Sequence, residues 1–489
     1  MITNPTLFEI NTRVFVKRFG ADAKLLDIPN EYWEDLVRKG IDYVWLMGIW
    51  KTCSSTIDKY CFEDGLVNNY KRALKDWKKE DVIGSPFAID TYNVNPELGD
   101  EESLLKLKSR LNKLGMKLIL DFIPNHFSAD TKLLREKPEI FLSADEQSFK
   151  ADPHTYYKPF ENEEKYFAHG RDPFYPAWQD TVQINYCSKE AREYLVNIIK
   201  NLTSYCDGLR CDMAMLVLNN VFKNTWTGLL KKNHYQVFTT EFWKEAILRT
   251  REIQKDFLFI AEAYWDMEWD LQQLGFDYTY DKRLTDRLRL NRPGEIEDHL
   301  KAEYDYQIKS VRFLENHDEE RAASIFGKEK SLAAAVIIST IPGMRFYYDG
   351  QFEGKRIKLP VQLGREPEEH TLNGINLFYE KLLKITSDEI FKKGKWELLE
   401  PISSWEGNYT HHNILAWEWN YNTSKRIVVI NYSDSLSTCR LKLDTRGYPE
   451  NVDITDLLDD QIYLRSSEEV FHTGLYVELK PWQSHIFHY

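Results

Sequence analysis

The sequence predicts an α/β protein: a (β/α)8 barrel with a segment inserted after its third strand and a C-terminal antiparallel β domain. Three observations lead there. Strand-like apolar runs alternate with helix-like ones as far as about residue 385, the pattern of a parallel sheet with crossover helices. Those runs are near-continuous, as in strands covered on both faces. Beyond that point the pattern changes to short alternating strands such as Arg426-Ile-Val-Val-Ile-Asn431 and Gly474-Leu-Tyr-Val-Glu-Leu479. At 489 residues the chain has room for a barrel and an appended module.

The candidate strands are Leu7 to Phe15, Ile41 to Met47, Lys117 to Phe122, Gly208 to Met213, Phe257 to Ala261, Phe276 to Tyr280, Ser310 to Leu314 and Met344 to Tyr348, the number an eightfold barrel needs. Helical periodicity runs through Tyr32 to Lys39, Glu102 to Leu114 and Ser188 to Leu202. Gly40 and Gly115 stand where C-caps belong. Two long stretches interrupt the alternation, Ile49 to Phe87 and Phe127 to Gln183, and loops of such length are rarely passive. The second ends in the aromatic run Gly170-Arg-Asp-Pro-Phe-Tyr-Pro-Ala-Trp178. The expected partition is a catalytic barrel of residues 1–126 and 184–385, an inserted lobe of 127–183 and a β-sandwich of 386–489. No internal repeat or low-complexity tract is visible.

Composition excludes several classes. Hydrophobic residues at 43% and charged ones at 29% describe a globular chain, not a disordered one. The formal charge of −13, with acids interspersed among bases as in Lys71-Arg72 through Lys79-Glu80-Asp81, argues against nucleic acid, which needs clustered cations. No apolar run approaches the ~20 residues of a membrane span, and the first residues lack a basic stretch leading into an apolar one. Cys53, Cys61, Cys187, Cys206, Cys211 and Cys439 form no Cys-x-x-Cys pair, so reduced, packed thiols are expected rather than a metal knuckle. These features together suggest a soluble cytoplasmic protein, and they leave oligomeric state open. Aromatics at 14% serve a large core and also suit stacking on sugar rings. In the C-terminal part, Trp405 and Trp482 could bind polysaccharide or pack into a core, and packing is the expectation.

Four segments carry the chemistry: Asp121-Phe-Ile-Pro-Asn-His126, Gly208-Leu-Arg-Cys-Asp212, Ala261-Glu-Ala-Tyr264 and Glu315-Asn-His-Asp318. Each puts a carboxylate where an apolar run gives way to a loop, and barrel active sites lie at the carboxyl ends of the strands. Strand alternation points Arg210 and Asp212 the same way and Cys211 toward the helices. A guanidinium beside Asp212 would keep it ionised and aim it as a nucleophile. Glu262 could act as general acid and base if partial burial raised its pKa. Asp318 adds a third carboxylate to steady an oxocarbenium-like transition state. Two carboxyls about 5–5.5 Å apart, one nucleophilic and one acidic, cleave a glycosidic bond with retention.

This combination resembles the α-amylase family of retaining glycoside hydrolases and transglycosylases. The matching residues are Asp121, Asn125 and His126, then Arg210 and Asp212, then Glu262, then His317 and Asp318. The similarity extends to Leu7-Phe-Glu-Ile-Asn-Thr-Arg13, Asp42-Tyr-Val-Trp-Leu46 and Pro342-Gly-Met-Arg-Phe-Tyr-Tyr-Asp-Gly-Gln351. The resemblance implies Asp212 as nucleophile, Glu262 as acid/base and Asp318 as transition-state stabiliser. It implies that His126, Arg210 and His317 hold the reacting sugar and that Asp121 supports the site. The inserted segment would be the family's domain B, one wall of the cleft. Phe87 is a candidate to stack on the sugar, with Pro86 as the alternative, while Tyr264 and Trp265, and more weakly Trp178, are candidates for the leaving-group side.

The chain departs from the family in two places. Many members bind calcium near domain B; Asn125 matches one ligand, but Gln183 replaces an acid. Beyond Asp212 the usual Lys-His pair is Met215-Leu216. The expectation is therefore no required cofactor or metal. The substrate class implied is an α-linked oligo- or polysaccharide of the maltodextrin or glycogen type. A transglycosylase or sugar phosphorylase would use the same residues, and a non-catalytic relative would typically have lost the carboxylates kept here.

Overall fold

The computed structural model of the chain describes residues 2–489. Eight parallel strands close a barrel: β1 (Thr6–Asn11), β2 (Tyr43–Met47), β3 (Lys117–Phe122), β4 (Gly208–Cys211), β5 (Leu258–Ala261), β6 (Tyr278–Tyr280), β7 (Ser310–Arg312) and β8 (Met344–Tyr348). They are hydrogen-bonded in sequence order, and β1 pairs with both β2 and β8 to close the ring. The expected first strand proves too long. Thr12–Phe15 turn into a short helix while staying buried, and a short continuous apolar run does not by itself separate strand from buried helix. The fourth strand also stops early, because Met213 takes a left-handed φ of +41°.

Alternation along the strands sorts side chains into two layers. Leu7, Tyr43, Trp45, Ile119, Leu258, Ile260, Tyr278, Val311 and Phe346 fill the barrel interior. Phe8, Val44, Leu120, Cys211 and Phe259 take the opposite parity and pack in the outer cluster with helix residues. The inward parity also carries Glu9, Asp121 and Arg210, so the same periodicity that builds the core delivers charge to its upper end.

The helices Asn30–Arg38, Glu101–Lys113 and Lys189–Leu202 lie within two residues of their expected bounds. Asp100 and Ser188 cap two of them by accepting the amides of Ser103 and Ala191. Gly40 and Gly115 end the other side with left-handed φ of +76° and +86°.

The first long loop holds the helices Ser55–Tyr60 and Asp64–Ala73, and its strand Trp50–Thr52 pairs with Ile89–Val94. After β3, His126–Ser128 pairs antiparallel with Thr181–Gln183, and between them lies a three-stranded sheet of Ser143–Ala144, Tyr166–Ala168 and Tyr156–Tyr157. The inserted segment is thus tied shut at its base, beside His126. The C-terminal residues form a six-stranded antiparallel sheet and a two-stranded one, packed through Ile414, Ile427, Val429, Leu441 and Val477. Trp419 Nε1 and Tyr432 Oη donate to the carbonyls of Thr340 and Leu288, fastening this domain to the barrel.

Trp405 corrects an expectation: it is 56% exposed, because it stands on a loop outside both sheets. Trp482 is half-buried against Tyr432. All six cysteines are free thiols. Among the described residues no helix is long and apolar enough to cross a membrane.

Candidate active site

At the carboxyl end of the barrel one guanidinium organises the polar groups. Arg210 is fully buried. Its Nη1 donates to Asp212 Oδ1 at 2.7 Å, and Asp121 Oδ1 lies 4.0 Å away. Its Nη2 is 2.7 Å from Glu262 Oε2 but not aligned as a hydrogen bond, so that attraction is Coulombic. The rings of Trp45, Phe87 and Tyr280 surround the cation at 5.1, 5.4 and 5.7 Å. Burial alone would lower the pKa of Arg210. Glu262, Tyr280 and the aspartates outweigh it and fix the charge.

Asp212 follows β4 at inward parity, and its amide donates to Phe122 O at 2.8 Å. Burial pushes its carboxyl above the ordinary range, while the Arg210 ion pair and hydrogen bond oppose that. Glu262, just past β5, is 3% exposed. Its Oε2 accepts from Met213 N at 2.6 Å and its Oε1 from Tyr264 Oη at 2.9 Å. The left-handed turn at Met213 is what aims that amide at Glu262. Burial lifts the Glu262 pKa to about 7, with Arg210 opposing and the charges of Asp212 and Asp318 assisting. Of the two carboxyls on Arg210, Asp212 has the aligned hydrogen bond and Glu262 does not.

Asp121 stands behind this pair. Trp45 Nε1 and Gly48 N donate to its two oxygens at 3.1 and 2.9 Å, and burial lifts its pKa to about 7. Gly48 has φ +79°, and a Cβ there would come within 2.9 Å of Pro86, so this close amide contact requires glycine.

His317 joins two carboxylates: Nδ1 meets Glu9 Oε1 at 2.5 Å and Nε2 lies 3.0 Å from Asp318 Oδ2. Burial disfavours its charge, but Asp318 and Glu9 outweigh burial and raise its pKa well above the usual value. His317 in turn holds Asp318 below the ordinary carboxylate range against the effect of burial. The Asp318 side chain is 50% exposed to the cleft, so solvent screens part of that interaction. Lys358 donates to the Asp318 carbonyl. A cavity of about 500 Å³ opens here, lined by Asn69, Arg72, His317, Asp318, Lys358 and Pro360 among others.

Phe87, not Pro86, is the aromatic of this wall: it stacks on His317 at 5.2 Å and 29°, while Pro86 packs on Gly48. His126 is buried, and burial lowers its pKa to about 4, which keeps it neutral. Trp178 packs on its ring at 5.4 Å. Trp265 lies farther out and meets Phe174 of the inserted segment. Asn125 sits at the base of that segment rather than in the cleft. Met215 and Leu216 are buried. Sequence reasoning singled out neither Glu9, Trp45 nor Tyr280 as site residues. An acid at inward parity within the apolar run Leu7–Ile10 was the available signal for Glu9.

The calcium arrangement of the family is not supported by the residues present. Gln183 Nε2 donates into Asn125 O, Asn125 Oδ1 and Ile184 O at 3.0, 3.0 and 3.1 Å. An amide nitrogen therefore occupies the place where these oxygens would converge on a cation, and no carboxylate joins them. Asp456, Asp459 and His485 form another cluster with metal-like spacing. There Asp456 is already paired with His485 and with the amides of Leu458 and Ile486.

A closed parallel barrel thus gathers carboxylates around one caged arginine at its carboxyl end, the side on which barrel active sites lie. The profile of the α-amylase catalytic domain matches residues 40–371, and the chain belongs to that family. Alpha-amylase 3 of Dictyoglomus thermophilum is 25% identical over 299 residues, 57% of this chain and 55% of the relative. Alpha-amylase MalA of Haloarcula japonica is 22% identical over 76% of this chain and 50% of its own length. The chain thus spans about half the length of these curated relatives. Among solved structures, a noncanonic maltogenic α-amylase, AmyB, from Thermotoga neapolitana superposes with a TM-score of 0.71 at 20% identity, covering 99% of this chain and 98% of that one.

Proposed function

We propose that this chain is a retaining α-glycosidase acting on α-linked glucose oligosaccharides of the maltodextrin or glycogen type. The observation that carries the reading is the shared guanidinium: Arg210 Nη1 makes an aligned bond to Asp212, Nη2 faces Glu262 without one, and burial lifts the Glu262 pKa to about 7 against the pull of Arg210. Neighbouring carboxyls held in different surroundings take different roles. Glu262 protonates the leaving oxygen while Asp212 attacks the anomeric carbon. Water then gives its proton to Glu262 and displaces Asp212, so two inversions give net retention. Asp318, ionised by protonated His317, faces the positive charge that develops on the sugar. Neutral His126 and Phe87 form the wall against which that sugar packs.

The substrate class is supported by the resemblance and by the printed names of the relatives. The segment 127–183 serves as a wall of the cleft, and residues 386–489 stand apart from the chemistry. Gln183 makes a calcium requirement unnecessary, because its amide already satisfies the oxygens at the base of the inserted segment. Six free thiols suit a reducing cytoplasm. The test is an assay of reducing ends from maltoheptaose: the unsubstituted protein should release them and Asp212→Ala should not. Equal release by both would reject the assignment of Asp212.

A further inference from the structure

Three loops at the carboxyl end of the barrel form the cavity beside Asp318. The loop after β2 brings Arg72, on the helix Asp64–Ala73. The loop after β7 brings Asp318, and the loop after β8 brings Arg356 and Lys358. In the ring of strands these three stand on either side of β1, and β5, which leads into Glu262, is the strand across from β1. In the mechanism above the leaving sugar departs on the side of Glu262. The donor chain therefore runs the other way, into this cavity, whose volume of about 500 Å³ suits an organic ligand.

The wall of this cavity carries uncompensated cations. Lys358 is half-buried, and its ammonium donates to the carbonyl of Asp318. Among the described residues neither Lys358 nor Arg356 has a side-chain carboxylate within 4.0 Å of its charged nitrogens. The carboxylate of Glu369 instead accepts the amides of Arg356 and Ile357, at 2.7 and 3.2 Å, and fixes the backbone that presents both cations. Arg72 lies 4.0 Å from Glu320 with both side chains exposed, so that pair is loose. Asp318 is already matched by His317. Two positive charges are thus left over where a further one develops on the reacting sugar. Like charges repel, and Lys358 touches the residue that steadies the sugar. This placement works against the reaction unless the substrate itself brings negative charge.

We propose that Lys358 and Arg356, with Arg72 at the rim, bind a phosphate ester on the donor chain. The preferred substrate is then an α-linked glucose oligosaccharide phosphorylated on the glucose next to the reacting one. A phosphate monoester carries about two negative charges near neutral pH, which matches the two uncompensated cations. It also takes the planar fork of an arginine together with the point charge of a lysine. A carboxylate would leave one of the two unmatched. The inference rests on the mechanism proposed above, which sets the leaving side at Glu262. The ester is held and not cleaved: its charge offsets the cations while Asp212 and Glu262 act on the neighbouring glycosidic bond.

The test compares 4-nitrophenyl α-maltoside with the same compound phosphorylated at the 6-position of its terminal glucose, so that the leaving group is identical. The kcat/KM of the phosphorylated compound should exceed that of the plain one about tenfold or more. Arg356→Gln and Lys358→Gln should each bring that ratio close to one. Both rates are read on the same protein, so partial misfolding of a variant cancels. Equal values for the two compounds with the unsubstituted protein, or a ratio untouched in both variants, would overturn the subsite. Inorganic phosphate should inhibit turnover of the phosphorylated compound by competition. If it instead speeds nitrophenol release and appears as maltose 1-phosphate, the cations serve an incoming nucleophile and the ester subsite is overturned. If neither compound releases nitrophenol, the glycosidase reading itself fails and the subsite falls with it, a result distinct from the others.

Discussion

Arg210 and Arg312 are both fully buried guanidiniums on strands of the same barrel, and each is paired with an aspartate. Around Arg312 the network is closed. Asp281 takes Arg312 and His299 Nε2 on one oxygen and caps Leu284 N with the other. Arg312 also donates to Pro342 O and Gln307, and His299 Nδ1 meets Arg287. Burial would raise the Asp281 carboxyl, but His299 and Arg312 outweigh it and hold it far below the ordinary range. Around Arg210 the network is open. Arg210 Nη2, His317 Nε2 and Glu9 Oε2 lack an aligned hydrogen-bond partner, and Glu262 and Asp121 sit at about 7. The difference accords with a structural strut on one side and the proposed site on the other: buried polar groups are normally satisfied, and a cluster that stops short of satisfaction in a cleft has room for a ligand's hydroxyls.

The contrast can be broken by substitution at its two ends. Asp212→Asn should lower turnover of maltoheptaose on the order of 10⁴-fold or more while leaving the unfolding midpoint near that of the unsubstituted protein, read by steady-state kinetics and urea denaturation. Asp281→Asn should do the reverse. Removing one member of the closed cluster costs about 3–5 kcal/mol of stability and leaves kcat per folded molecule unchanged. A catalytic loss at Asp281 with intact stability would erase the distinction.

Proton linkage sharpens the contrast. In the proposed mechanism Glu262 must carry its proton to act, so kcat/KM should fall about tenfold per pH unit as pH rises above about 7, with Glu262→Gln losing that limb. Asp281 has a depressed pKa, so its stabilisation is present above the unfolded value of about 3.9 and is lost as pH falls below it. Denaturation of Asp281→Asn should lack that acid limb.

The smallest effect concerns the base of the inserted segment. With Gln183 donating where a cation would sit, a chelator should leave the melting temperature within about 1 °C. A larger drop, reversed by calcium alone, would reject this reading.

Much of this was legible in the chain because strand parity is a strong constraint. The apolar runs located all eight strands, and the two-residue spacing of Arg210 and Asp212 fixed their common direction. What the sequence hid was long-range or conformational. Glu9 is 308 positions from His317, and nothing local marks it as that residue's partner. The helix at Thr12–Phe15 was concealed by continuous hydrophobicity. Trp405 looked like core because exposure depends on which loop carries it. The contact of Phe174 with Trp265 joins two loops that only the folded barrel brings together.

The central claim is that Asp212 and Glu262 act on opposite faces of one anomeric carbon through a covalent intermediate. Proton NMR of a maltoheptaose digest, recorded before mutarotation, tests it most directly. Newly formed reducing ends should appear first as the α-anomer, and none should appear with Asp212→Ala. First appearance of the β-anomer would mean a single inversion and would contradict the account.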